Sequence, residues 1–168
     1  MKEIRFKITG IPAASRPVLT IDGTPVRLKK KGYGFYDGCF RTEKEVAEIA
    51  LSARPELSGR LWWLTALITF LLSVFGIFEP PYGKKCFAAD LGMLLPLKED
   101  NEIELAFRAP SENGRAADVF APNVYTETEN ICFTDKKAKR RRRIVFAVKA
   151  LSWLCIAFAA VYLTAKGI

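Results

Sequence analysis

The sequence contains no histidine. This absence excludes a Ser-His-Asp triad, a Cys-His dyad, and any zinc or haem site with a histidine ligand. The 4 cysteines form no Cys-x-x-Cys pair, and the chain has no P-loop, no GxGxxG motif and no GxSxG motif. We therefore expect a protein that is not an enzyme, with no catalytic residue, no cofactor and no metal.

The acidic residues also lack the spacing of a metal site. Glu99, Asp100, Glu102 and Glu104 lie close together, but they miss the glycine and the terminal glutamate of an EF-hand loop. We interpret them as the solvated face of a hairpin.

Long apolar runs are present, and they dominate the sequence. Segment 61–78 has 18 residues and no charge, which as a helix gives about 27 Å, close to the ~30 Å hydrocarbon core. Segment 144–163 has 20 residues and one charge, Lys149, which lies near enough to its start to extend toward the headgroups. Trp62 and Trp63 begin the first segment, as is typical of a membrane boundary. The sequence therefore predicts two transmembrane helices.

The polar sequence before the first span has the pattern of a small β module. Ile4, Phe6 and Ile8 alternate with charged residues, and Asp22-Gly23 separates two apolar runs as a hairpin turn does. Residues 33–40 are predicted as a further strand. Residues 42–53 fit either a capped helix or a strand, and we favour the strand because it completes a small sheet.

The polar sequence between the spans repeats this pattern. We predict strands over 87–97 and 102–107, and shorter ones around 119–120, 124–125 and 131–133. The predicted fold is thus an α+β membrane protein with two transmembrane helices and two small antiparallel β modules. One composite β-sandwich is the alternative, provided that both modules lie on the same side of the membrane. The predicted organisation is a β domain at 1–60, a span at 61–78, a β domain at 79–135, a polybasic segment at 136–143, a span at 144–163 and a tail at 164–168.

The polybasic segment is the strongest single motif. Asp135 or Thr134 is suited to cap a helix that begins there. We interpret the segment mainly as an orientation signal on the cytoplasmic side, with anionic-lipid binding as the alternative and nucleic-acid binding as the less favoured one. The candidate lipid-binding residues are Lys136, Lys137, Lys139, Arg140, Arg141, Arg142 and Arg143.

Charge alone does not give a consistent topology for two spans. The basic segment favours a cytoplasmic 79–143 region, yet residues 1–60 carry 12 Lys and Arg and lack an export signal. Either one region is translocated, or segment 61–78 is re-entrant and both regions stay in the cytoplasm. We favour a cytoplasmic 79–143 region.

Two cysteines share the second polar region. If that region faces an oxidising space, Cys86 and Cys132 are candidates for a disulfide, whereas in the cytoplasm they stay thiols. Cys155 lies inside the second span and is expected to be inert.

Three functions remain open from the sequence. The favoured one is a small membrane protein whose β modules bind a partner protein or self-associate. The second is a binder of anionic lipids through the polybasic segment, and the third is a transport or pore accessory subunit that uses Lys149. The Asp22-Gly23 turn, the Trp62-Trp63 pair and the basic flank resemble those of small bacterial membrane proteins, which implies a bacterial cell membrane.

Overall fold

The computed structural model describes residues 1–12, 15–74, 86–97 and 101–166. The described chain contains two five-stranded sheets and two α-helices. The first sheet has the order β4-β5-β1-β8-β9 and the second has the order β10-β7-β6-β2-β3. The strands are β1 Lys2–Thr9, β2 Ser15–Ile21, β3 Thr24–Val26, β4 Lys29–Gly32, β5 Phe35–Thr42, β6 Val46–Pro55, β7 Phe87–Pro96, β8 Asn101–Phe107, β9 Ala117–Phe120 and β10 Thr126–Thr134.

The two sheets share one apolar core. Alternating side chains of the strands point inward, as the period of a half-buried strand requires. Phe6 of β1, Leu51 of β6 and Leu105 of β8 are among the side chains that are fully buried between the sheets. The described residues thus form one β-sandwich.

The sandwich corrects the prediction of two separate β modules. β1 pairs with β8 in parallel, with Ile4 opposite Asn101, and β6 pairs with β7. Both sheets therefore combine strands from before and after segment 61–78. This arrangement is the single composite β-sandwich that the sequence left as the alternative. The parallel β1–β8 pair also departs from the antiparallel pairing that the sequence predicted.

Several local predictions are confirmed. β2 and β3 meet at Asp22-Gly23, where both residues have positive φ, as a type I′ turn requires. Residues 46–55 form strand β6, in agreement with the favoured interpretation of the ambiguous 42–53 segment. Asp135 is the residue that caps helix α2.

The helices differ from the predicted pair of spans. Helix α2, Lys136–Ala165, has 30 residues and is the one helix of the described chain that is long and apolar enough to cross a membrane. Helix α1, Trp62–Val74, has only 13 residues, or about 20 Å by helical rise, and 75–78 lie outside the described residues. Two transmembrane helices are therefore not supported. The polybasic segment is itself the first two turns of α2.

Candidate functional site

Both helices leave the sandwich from the same end, which we call the helix end. β6 ends at Pro55 and is followed by a 3-10 turn, Glu56–Ser58, that leads into α1. β10 ends at Thr134, and α2 begins at Lys136, after the cap residue Asp135. Because β7 lies between β6 and β10, the two helices start close together and run away from the sandwich in the same chain direction.

Asp135 ties the start of α2 to the turn after β6. Its carboxylate accepts hydrogen bonds from the backbone N–H of Lys137 at 2.9 Å and of Ala138 at 3.0 Å. The hydroxyl of Ser58 donates to its other oxygen. Burial acts to raise the pKa of Asp135, but these hydrogen bonds outweigh burial and hold its pKa below the ordinary value. Asp135 is thus an ionised cap that joins two elements.

Arg141 makes a second connection between the same elements. Its guanidinium donates to the carbonyl oxygen of Leu57 at 2.7 Å and to that of Gly59 at 3.0 Å. The group also lies 5.0 Å from the ring centroid of Trp62, at the start of α1. Arg141 therefore holds the first turns of α2 against both the 3-10 turn and α1, through charge-assisted hydrogen bonds and a cation–π contact.

A small apolar cluster fills the space under these polar contacts. It contains Leu57 of the 3-10 turn, Ala66 of α1, Cys86 before β7, and Ala138 and Val145 of α2, all buried. The cluster is separate from the core between the sheets. It fixes both helices to the sandwich as a packed joint.

The seven cations of the polybasic segment fall into two groups. Arg141 belongs to the joint, and Arg142 is half-buried over the ring of Phe146 at 4.5 Å, with its Nε buried and without a hydrogen-bond partner. The other five are exposed, and among the described residues none of them forms an ion pair. These five are Lys136, Lys137, Lys139, Arg140 and Arg143.

The structure does not contain the Cys86–Cys132 disulfide, which was a candidate only for an oxidising compartment. Cys86 and Cys132 are separate thiols in two different apolar clusters. Cys132 lies opposite Ala89, and Cys86 lies opposite Asp135, so the cysteines are offset by about 10 Å along the strands. That offset exceeds the Cα separation of about 4.4–6.8 Å that a disulfide requires. Burial raises the pKa of both thiols, which lowers their reactivity.

Lys149 continues the packed face of α2. Ala138, Arg142, Val145 and Lys149 are spaced by three or four residues, and Lys149 is half-buried. Among the described residues it forms no ion pair with an acidic side chain. The structure therefore gives Lys149 no acidic partner for a proton or ion relay.

The opposite end of the sandwich, which we call the far end, carries exposed apolar side chains. Val124 is 90% exposed in the turn between β9 and β10, and Phe120 at the end of β9 is 59% exposed. A shallow groove of about 500 Å³ runs along Phe120 and Tyr125, beside Glu102 and Glu104. Sequence reasoning missed this surface, because it placed both Phe120 and Val124 in short strands, whereas Val124 lies in the turn between β9 and β10. The signal that was present is Pro122-Asn123, a turn pair directly before Val124.

No protein-family model matches the chain, and no curated protein sequence or solved structure matches it. Within the described residues, no group of three or more cysteine, aspartate or glutamate side chains is arranged to hold a metal ion.

Proposed function

We propose that this chain is an integral membrane protein that holds a β-sandwich against the cytoplasmic face of the membrane and presents the far end of the sandwich to a partner protein. It has no enzymatic role. The observation that carries the proposal is the packed joint, because Arg141 and Asp135 fix the sandwich to the base of the apolar helix α2. A domain fixed in this way has one end toward the membrane and the other toward the cell interior.

In this proposal α2 alone crosses the bilayer. Cys86 packs beside Leu57 at the helix end, so the chain has returned to the sandwich eight residues after Phe78. Eight extended residues reach at most about 29 Å, which is less than the ~30 Å core and its headgroup layers. A complete crossing by 61–78 would require an almost fully extended return through the hydrocarbon, where backbone N–H and C=O groups would lack hydrogen-bond partners. In this proposal α1 is therefore a short element that enters the bilayer from the cytoplasmic side and does not cross it.

The distribution of charge supports the cytoplasmic side. The five exposed cations of α2 lie before its apolar part, and Arg60 lies two residues before α1. Basic residues next to a span favour the cytoplasm. The single-span arrangement also removes the conflict in the sequence, because both β regions then lie on one side.

The far end is the proposed binding surface for the partner. Val124 and Phe120 expose apolar area that the packed core does not use, and Glu102 and Glu104 border the groove beside them. A patch of this kind, rimmed by charge, is typical of a protein-binding surface. The partner is expected to place an apolar side chain in the groove, with basic groups near the two glutamates.

Photo-crosslinking in native membranes tests this surface. A benzophenone amino acid is placed at Val124, and in a matched variant at Cys39, which is exposed in the middle of β5. We expect a discrete adduct from position 124 and none from position 39, and mass spectrometry then identifies the partner or a second copy of the chain. Adducts of equal intensity from both positions, or no adduct from position 124, would contradict the proposal.

A second function has specific support: the five exposed cations bind anionic lipid. Each basic group close to an anionic leaflet gains about 1 kcal/mol, and these five have no acidic partner in the described chain. Replacing them with glutamine should abolish the enrichment of phosphatidylglycerol around the full-length protein in mixed-lipid nanodiscs. Replacing Arg5, Arg41 and Lys44, three exposed cations that lie away from the helices, is the control and should leave the enrichment unchanged. Equal enrichment in all three proteins would contradict a role in lipid binding.

A further inference from the structure

The hairpin of β4 and β5 lies at the helix end, although it is remote from both helices in sequence. Tyr36 of β5 pairs with Ile8 near the end of β1, and the backbone N–H of Ile11 donates to the carbonyl oxygen of Gly34 at 3.3 Å. The next strand, β2, then begins with Ser15 opposite Pro55, at the point where β6 leads into the helices. Strand register alone therefore places the hairpin tip at the helix end.

A shared cleft shows that the hairpin and the helix base are neighbours. Tyr33 of the hairpin and Glu56 of the 3-10 turn both line a cleft of about 400 Å³. Arg16 lines it as well, with its Nε 3.6 Å from the carboxylate of Glu56. The surface from the hairpin to the 3-10 turn that leads into α1 is thus continuous.

The hairpin has the composition of a membrane-contacting loop. Tyr33 is 75% exposed and Phe35 is 53% exposed, and three lysines, Lys29–Lys31, precede them. Lys31 also lies 3.9 Å from the carboxylate of Asp37, a solvent-exposed ion pair that is weak and can be exchanged for a lipid phosphate. Aromatic side chains favour the headgroup layer, and lysines are attracted to anionic headgroups. A lysine-rich strand at a sheet edge is also a common protection against edge pairing, but that function does not require two exposed aromatic side chains at the tip.

The backbone holds this tip in one shape. Gly34 has a φ of +73°, and an added Cβ would lie 3.1 Å from the carbonyl oxygen of Ile11. Only glycine takes this conformation there without strain. The aromatic side chains are therefore displayed from a rigid turn that packs on the β1–β2 connection.

We infer that the β4–β5 hairpin is a second membrane contact, in which Tyr33 and Phe35 enter the headgroup layer of an anionic bilayer while Lys29, Lys30 and Lys31 bind its phosphates. The inference rests on the proposed anchoring by α2. With α2 and the hairpin both engaged, the sandwich is held at two points on opposite sheets and has a fixed tilt. The far end then faces away from the bilayer in one orientation.

Depth-dependent fluorescence quenching tests this contact on the full-length chain. The protein is placed in nanodiscs that contain lipids spin-labelled on the acyl chain, with or without phosphatidylglycerol. A nitrobenzoxadiazole label is attached through Tyr33→Cys in a Cys39→Ser, Cys155→Ser background, in which the remaining cysteines are buried. Val124→Cys in the same background is the matched control at the far end, and native Cys155 in the Cys39→Ser protein reports on α2.

We expect the label at position 33 to be quenched several-fold more than the label at position 124, and only in the anionic discs. Lys29→Gln, Lys30→Gln and Lys31→Gln together should reduce this quenching to the level of the zwitterionic discs. Quenching at 155 with equal signals at 33 and 124 would overturn the hairpin contact and leave the α2 anchor intact. No quenching at 155 would overturn the anchor, and the hairpin contact with it.

Discussion

At the scale of single residues, neighbouring arginines of the polybasic segment differ in their contacts. Arg141 donates to two backbone carbonyl oxygens and lies over Trp62, whereas Arg143 is exposed. The run looks uniform in the sequence, whereas the structure divides it into two arginines that pack against other groups and five exposed cations; lipid binding by the segment stays a prediction. The helical spacing of Ala138, Arg141, Arg142 and Val145 was the available signal, because residues three and four apart share one face of a helix.

Arg141 should therefore be important for stability. We expect Arg141→Gln to lower the free energy of unfolding by about 1–3 kcal/mol, since it removes charge-assisted hydrogen bonds to two carbonyl groups. Arg143→Gln loses the same charge from an exposed site and should change stability by less than about 0.5 kcal/mol. Thermal unfolding of the full-length proteins in one detergent, followed by circular dichroism of the strands, compares the two variants. Equal loss of stability in both would refute the assignment of Arg141 to the joint.

Asp135 gives the joint a defined dependence on pH. Its folded pKa lies below the ordinary value, so its ionised form stabilises the fold above the ordinary Asp pKa of about 3.9 and this contribution is lost as pH falls toward the folded value. Asp135→Asn keeps an N-cap acceptor and should flatten the acid limb of the stability curve. Asp135→Ala removes the cap and should cost about 0.5–2 kcal/mol at neutral pH. Denaturant unfolding from pH 7 to pH 3 separates the two effects, and an unchanged acid limb in Asp135→Asn would contradict this role.

At the scale of elements, the local sequence pattern predicted where strands lie, but it did not predict which strands pair with each other. The alternation of Ile4, Phe6 and Ile8 gave β1, and the Asp22-Gly23 turn gave the β2–β3 hairpin, because both signals lie within a few neighbouring residues. The parallel pairing of β1 with β8 carries no local signal, since it depends on how distant strands fill one core. Segment 61–78 was predicted to be a span from its apolarity alone, but the described helix within it, α1, has only 13 residues, and α2 is the one described helix that is long and apolar enough to cross a membrane.

The two helices should respond differently to a buried charge. Leu154 lies near the middle of the apolar part of α2 and is exposed, and Leu67 is an exposed residue of α1. A lysine at the centre of a span costs about 2.5–3.5 kcal/mol of insertion free energy, so Leu154→Lys should markedly lower the fraction of protein that resists alkaline carbonate extraction. Leu67→Lys should leave that fraction near the wild-type level, because α1 is not the anchor. Loss of membrane retention in Leu67→Lys alone would reverse the assignment of the two helices.

At the scale of the whole molecule, the sandwich has one strongly basic end. The helix end carries Lys29–Lys31 and the exposed cations of α2, whereas the described turns at the far end carry Asp22, Glu43 and Glu45 against Lys44. This asymmetry follows from topology, since strand register brings the lysine hairpin and the α2 segment to one end. Composition gave only the net charge of +8. A basic end next to an apolar helix is suited to an anionic cytoplasmic leaflet.

A shared core also requires both β regions to lie on one side of the membrane, and cysteine labelling in intact cells tests this. Cys39 is exposed on β5, in the first β region, and Val124→Cys in a Cys39→Ser protein supplies an exposed thiol in the second. Because the sheets combine strands from both regions, the two thiols must behave alike toward a membrane-impermeant maleimide. For a cytoplasmic sandwich, neither reacts in intact cells and both react after the membrane is permeabilised. Reaction of both in intact cells would keep the fold and reverse the orientation, whereas reaction of one alone would be incompatible with a single sandwich.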